Sequence, residues 1–213
     1  MRSETGDTVQ LAIFAKAPVA GYAKTRLISA LGAEGAANVQ AFLVRRAVET
    51  AVASSQRPIT LWCAPDASHD LFQSLQETCG VETFDQTEGG LGERMFDAFE
   101  RLTVHGPTLL IGSDCPMLSA GDLDRCASML RVGADAVFVP AEDGGYVLIG
   151  LKRPHRRLFE DIAFGTDAVM HQTRERLREL HLSAIETDAL WDVDTVADYE
   201  RARSEGLLAK LRL

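Results

Sequence analysis

Short apolar runs alternate with longer amphipathic stretches along the chain, and this alternation limits the possible folds more than any other feature of the sequence. Val9 to Ala17 reads as a buried strand, and Glu34 to Ala53 as a helix whose Val39, Phe42, Leu43 and Val48 recur at helical spacing. Pro58 to Ala64 is a second strand, followed by a helix through Leu71 and Leu75. Val81 to Phe84 is a short third strand, followed by a helix over Leu91 to Leu102. Thr108 to Gly112 is a dense apolar strand and Ser119 to Leu130 a helix. Asp135 to Pro140 and Tyr146 to Leu151 are two strands around a glycine loop, and charged helices cover Thr166 to Leu180 and Ala197 to Ser204. This pattern predicts an α/β three-layer sandwich with a mainly parallel sheet covered on both faces. Ligands then bind beyond the carboxyl ends of the strands, so the residues just after each strand are the first candidates for function.

The bulk properties narrow the function. The 213 residues are read as one domain. No stretch of sequence reaches the about 18 apolar residues of a membrane span. The N-terminal MRSETGDTVQ is polar and lacks the apolar stretch of a signal peptide, so a cytoplasmic protein is expected. Cys63, Cys79, Cys115 and Cys126 form no C-x-x-C pair and read as reduced, mostly buried thiols. The five histidines are scattered without ligand spacing. A net charge of -9 repels a phosphate backbone, so small ligands are favoured over nucleic acid.

The loop after the first strand, FAKAPVAGYAKTRL from Phe14 to Leu27, lies in a stretch with no acidic residue between Asp7 and Glu34. It carries Lys16, Lys24 and Arg26, and Gly21 can open backbone amides toward a ligand. In an acidic protein this suggests an anion site, with Arg26 able to grip phosphate oxygens bidentately and the lysines acting as point charges. An ordinary solvated loop is the alternative. A Walker A loop fails, because Ala23 and Pro18 stand where its glycines are required.

Acidic residues follow later strands. In LLIGSDCPML, Asp114 sits just past an apolar run, where a carboxylate suits Mg2+ or Mn2+; a turn or helix-cap aspartate is the alternative. In LWDVDT, Asp192 and Asp194 point the same way if the segment is extended, and one of them can complete a metal's coordination while the other is structural. Alternatively, Asp194-Thr195 caps the next helix. In EDGGY, Gly144 and Gly145 permit close backbone approach, and Asp143 or Glu142 can act as base or orient an acceptor hydroxyl; a plain Asp-Gly hairpin is the alternative. In QTEGGLGERM, Gln86, Gly89 and Gly90 can cradle a base or ribose, or form a flexible loop at a helix start.

Taken together, FAKAPVAGYAKTRL, GERM, GSDCP, EDGGYVLIGL and WDVDT, in this order over nearly the whole chain, resemble a bacterial family of GT-A-like transferases grouped with glycosyltransferases and linked to radical-SAM neighbours. KTRL is more distantly similar to 2-phospho-L-lactate guanylyltransferase, and the overall plan to molybdenum-cofactor guanylyltransferase. The resemblance implies a nucleotide-diphospho-sugar transferase fold over residues 1–213, with Lys16, Lys24 and Arg26 in the phosphate loop. It implies Asp114 as a metal ligand and Asp192 or Asp194 as the second. Where the family commonly reads Gly-Asp-Leu before GERM, Gly90 stands at the acidic position. The expected activity is metal-dependent transfer from a nucleotide-activated donor to a small-molecule acceptor. Glycosyl transfer is placed first and nucleotidyl transfer second. A non-catalytic nucleotide-sugar-binding module is the alternative of another class.

Overall fold

The computed structural model describes residues 8–209 and Leu211; the polar segment from Met1 to Asp7 lies outside the described residues. The elements are β1 (Gln10–Lys16), α1 (Ile28–Ala53), β2 (Ile59–Ala64), α2 (Asp70–Cys79), β3 (Glu82–Asp85), α3 (Leu91–Leu102), β4 (Thr108–Gly112), α4 (Ala120–Val132), β5 (Ala136–Pro140), β6 (Tyr146–Leu151), α5 (Val169–Glu179), β7 (Ala184–Glu186) and α6 (Val196–Ser204), joined in places by single 3-10 turns. They build one seven-stranded sheet in the order β3-β2-β1-β4-β6-β5-β7. β6 runs antiparallel to both β4 and β5, and every other pairing is parallel.

Alternate residues of β1 serve opposite faces, as the two-residue period of a strand demands. Leu11 and Ile13 join Val44 and Val48 of α1 and Leu123 and Leu130 of α4 in one core. Ala12 and Phe14 join Met95 and Phe99 of α3, with Met170 and Leu177 of α5, in the other. A satellite core packs Trp191, Val193 and Tyr199 against Val39 and Leu43 on the far side of α1. The three-layer α/β sandwich expected from the sequence is therefore the observed one.

Two local features depart from the sequence reading. α1 begins at Ile28 rather than near Glu34, and non-helical Gly32 (φ 71°, ψ 169°) interrupts its first turns. The span Thr25–Ala53 is long and apolar enough by composition to cross a membrane. Here its apolar positions contribute to two of the cores, Val44 and Val48 to one and Val39 and Leu43 to another.

Strand register sets the position of the crevice. Phe14 of β1 pairs with Gly112 of β4, so Lys16 and Asp114 stand two residues beyond the same level of adjacent parallel strands.

Candidate active site

A crevice of about 730 Å³ opens above these strand ends. Lys24 enters it from a strained backbone. Its φ of 48° and ψ of 43° lie in the left-handed region, which costs a non-glycine residue about 1–2 kcal/mol. The strain is held by the short 3-10 turn Thr25–Leu27, closed by the Leu27 amide on the Lys24 carbonyl at 2.8 Å, and by the buried side chains of Ala23 and Leu27. The result is a lysine side chain only 4% exposed whose Nζ lies 2.9 Å from Asp114 Oδ1 and 3.7 Å from Asp194 Oδ1.

Asp114 Oδ1 also accepts from Ser113 Oγ at 3.3 Å. The buried amide of Gln40, on α1, donates to the Lys16 carbonyl at 3.0 Å and to Ser113 Oγ at 3.4 Å, tying the ends of β1 and β4 together. A glutamine in the buried stripe of a core helix is the sequence signal for this role.

The WDVDT segment is brought in by its middle residue. The fully buried Val193 donates its amide to the Asp114 carbonyl at 2.9 Å. Asp192 and Asp194 flank it in an extended chain and so both reach the crevice. Their environments then differ. Asp194 pairs with Lys24 and, in a short contact, with the exposed Arg26. The cap of α6 is Thr195, whose side chain exchanges hydrogen bonds with Asp198, so neither aspartate of the motif is used as a cap. Asp192 has no such cation of its own. Burial, then the negative charges of Asp143 and Asp114, push its pKa from 3.8 up to about 6, against a smaller opposing effect of Lys24.

The chain after β5 closes the far wall. The Glu142 amide donates to the Leu190 carbonyl at 2.9 Å, which sets the EDGGY loop beside WDVDT. Glu142 itself is drawn away to Arg201 at 2.8 Å, leaving Asp143 as the carboxylate near Asp192. Asp143 Oδ1 accepts from the Gly145 amide at 2.9 Å, the expected Asp-Gly turn of the β5–β6 hairpin.

The glycines serve packing more than ligand approach. Gly144 has a φ of 93°, and a Cβ there would lie 2.3 Å from the Asp167 carbonyl oxygen, so it lets two chain segments meet. Gly145 lines a smaller cavity next to the crevice. Gly89 and Gly90 lie against the Glu93 carboxylate, which accepts from the Gly90 amide at 2.8 Å and caps α3; neither faces the crevice. Gln86 does face it, with its amide donating to the Trp62 carbonyl at 2.8 Å. Gly21 (φ 80°) is exposed in the loop and outside the crevice lining. Lys16 lines the crevice with its Nζ 4.1 Å from the centroid of the Tyr22 ring. Tyr22, Arg94 and Tyr146 also line it; each lies inside one of the sequence motifs, but the sequence alone marks none of them as a site residue. Cys115 lies there too, but burial raises its thiol to about 11, so it is no thiolate nucleophile at neutral pH.

Among the described residues, no three His, Cys, Asp or Glu side chains converge into a complete metal cage. Asp114, itself paired with Lys24, and Asp192 feel each other's charge, and carboxylate oxygens are the donor type Mg2+ takes when phosphate oxygens and water complete its shell. All four cysteines are free.

Residues 47–166, more than half of the chain, match the family described as "uncharacterized protein conserved in bacteria" (DUF2064). No protein of curated function matches the sequence. A crystal structure assigned to a nucleotide-diphospho-sugar transferase from Desulfovibrio desulfuricans G20 is 26% identical, with a TM-score of 0.83 over 95% of this chain and 87% of that one. The 4-diphosphocytidyl-2C-methyl-D-erythritol synthase of Anaerococcus prevotii DSM 20548 is 12% identical, with a TM-score of 0.64 over 93% and 96% of the two chains. CMP:2-keto-3-deoxy-manno-octonic acid synthetase, in complex with CTP, is 11% identical, with a TM-score of 0.62 over 95% and 99%. At such low identity the last two show the fold alone.

Proposed function

The chain belongs to the DUF2064 family of bacterial proteins, and we propose that it is a metal-dependent transferase that takes a group from a nucleotide-activated donor, a nucleoside diphosphate sugar, to a hydroxyl acceptor. One observation carries the reading: a nearly buried ammonium shared by carboxylates from two distant segments, above adjacent parallel strand ends. The nucleotide-diphospho-sugar transferase assignment of the 26% identical structure supports it.

In this reading Lys24, with Lys16 and Arg26 at the rim, faces the diphosphate and offsets the charge that grows on it as the sugar–oxygen bond breaks. Asp114 and Asp192 are the residues that would hold Mg2+ or Mn2+, which supplies further charge neutralisation at the diphosphate. Asp143 orients the acceptor hydroxyl and takes its proton as the new carbon–oxygen bond forms. Asp194 holds Lys24 and Arg26 in place. Four free thiols suit a cytoplasmic setting.

Nucleotidyl transfer is the second reading. Three cations on one loop, Lys16, Lys24 and Arg26, match the greater charge of a triphosphate, and solved neighbours of the same fold include a synthetase bound to CTP.

A thermal-shift panel of nucleoside triphosphates and sugar nucleotides, with and without Mg2+ or Mn2+, tests both. A ligand at a hundred times its dissociation constant stabilises the fold by about 2.7 kcal/mol. Metal-dependent stabilisation by sugar nucleotides supports the first reading, and by triphosphates alone the second. No response to any nucleotide removes both.

A further inference from the structure

A second cavity, of about 170 Å³, opens off the charged crevice. The two share Phe14, Leu91, Gly112, Tyr146 and Val147 as a common wall. Behind that wall the chemistry changes. Met95 of α3, Leu110 of β4, Phe164 and Val169 form the interior, and Met95, Leu110 and Val169 are all at most 4% exposed. The volume is close to the about 150 Å³ at which an apolar cavity stays dry and takes up benzene. It admits one six-membered ring or a branched chain of about five carbons.

The hydroxyls in its lining are engaged within the protein. Tyr146 Oη donates to Met95 Sδ at 3.8 Å, and burial holds the phenol well above its ordinary pKa, hence neutral. Thr166 Oγ1 donates to the Ala163 carbonyl at 2.8 Å and accepts from the Ala168 amide at 3.3 Å. A polyol placed inside would lose water for each hydroxyl without a matching partner, at about 1–3 kcal/mol per group. The charged residue of the lining is Asp143, on the hairpin between the two cavities, whose Oδ1 is fixed by the Gly145 amide.

We propose that this cavity selects the acceptor, and that the acceptor is an alcohol whose apolar group is about the size of one ring, seated between Met95 and Val169 with its hydroxyl beside Asp143. The acceptor role rests on the donor-site reading above; the preference for an apolar ring over a polyol does not.

The probes are benzyl alcohol and glycerol, titrated into the full-length protein carrying 13C-methyl methionine, with the Met95 resonance assigned through Met95→Leu. Benzyl alcohol is expected to shift the Met95 methyl saturably, and glycerol at the same concentrations is not. Val169→Phe fills the cavity, and Thr166→Trp blocks it from an exposed position at the cost of the two Thr166 hydrogen bonds, with circular dichroism checking that each variant is folded. Each is expected to weaken benzyl alcohol binding by about tenfold or more. Metal-dependent stabilisation by nucleotide is expected to persist in both variants. An equal response to glycerol, or wild-type affinity in Thr166→Trp, overturns the proposal. Saturable benzyl alcohol binding in a protein that no nucleotide stabilises upholds the apolar preference and overturns the acceptor role.

Discussion

The two walls of the crevice are both made at one end of the same sheet, yet one is charged and the other apolar. β1 ends at Lys16, and the loops beyond β1 and β4 present Lys24 and Asp114. β6 runs the other way, so it begins where its neighbours end and presents its first residues, Tyr146 and Val147, at the same level. β6 starts directly after the EDGGY loop as a continuous apolar run, so Tyr146 and Val147 line the pocket and the loop adds the carboxylate of Asp143 at its edge. Reversing one strand thus places an apolar pocket beside a site for charge, which suits a reaction joining a phosphorylated donor to a less polar acceptor.

The largest expected effect lies on the charged wall. Asp114→Asn leaves Lys24 without its closest carboxylate and removes a candidate metal ligand, so metal-dependent nucleotide binding is expected to fall by about a hundredfold, roughly 3 kcal/mol. Titration calorimetry with and without Mg2+ reads this directly, and unchanged affinity breaks the division of labour between the walls.

Gly144→Ala probes the contact between the β5–β6 loop and Asp167, beside the apolar wall. The left-handed φ of 93° and the 2.3 Å approach to the Asp167 carbonyl predict a loss of about 2–3 kcal/mol in unfolding free energy, seen by urea denaturation. Nucleotide affinity in the folded fraction is expected to hold within a few-fold. A large loss of affinity would show that the two walls are mechanically coupled.

A smaller effect follows from Asp192. Its folded pKa of about 6 lies above the unfolded value of 3.8, so the fold favours the protonated form. The resulting stability is fully present below about pH 4 and is lost as pH rises through about 6. The shift is worth about 3 kcal/mol at most, and partial exposure reduces it to about 1–2 kcal/mol. Asp192→Asn is expected to flatten this part of the stability–pH curve. Because a bound cation favours the carboxylate, nucleotide–Mg2+ affinity is expected to rise with pH up to about 6 in the wild type and not in the variant. An identical pH profile in both would assign the titration elsewhere.

The smallest effect is on stability in Arg26→Ala. Its pair with Asp194 is exposed on both sides, and such pairs contribute about 0–1 kcal/mol. The melting temperature is expected to move little while nucleotide affinity drops several-fold, which separates ligand contact from structural support.

Most of the scaffold was legible because its apolar runs are long and punctuated. The strand Thr108–Gly112 and the helix Leu91–Leu102 fall where periodicity placed them. β7 was not seen: it is three exposed residues at the sheet edge, with no apolar period to detect. The early start of α1 was masked by Gly32, which reads as a boundary and is instead a kink. For the site, the cationic loop, Asp114 and the WDVDT pair were visible because charge is conspicuous after an apolar strand. What separates Asp192 from Asp194 was not, since it depends on Val193 docking to Asp114 and on which carboxylate meets Arg26. The packing contacts of the motif glycines were not legible either. A side chain at Gly89 would crowd the Glu93 carboxylate and one at Gly144 the Asp167 backbone, contacts that form only in the folded chain. The apolar pocket drew on Phe14, Met95, Leu110 and Val169, which a sequence can assign only to the core.

The central claim is that the loop cations and the two distant aspartates act on one bound diphosphate. Crystals soaked with Mn2+ and the nucleotide selected by the stability panel, measured for anomalous scattering, test it most directly. The account predicts a manganese peak between Asp114 and Asp192 with phosphate density reaching Lys24. Manganese elsewhere, or a nucleotide bound with its phosphates turned away from Lys24, would contradict it.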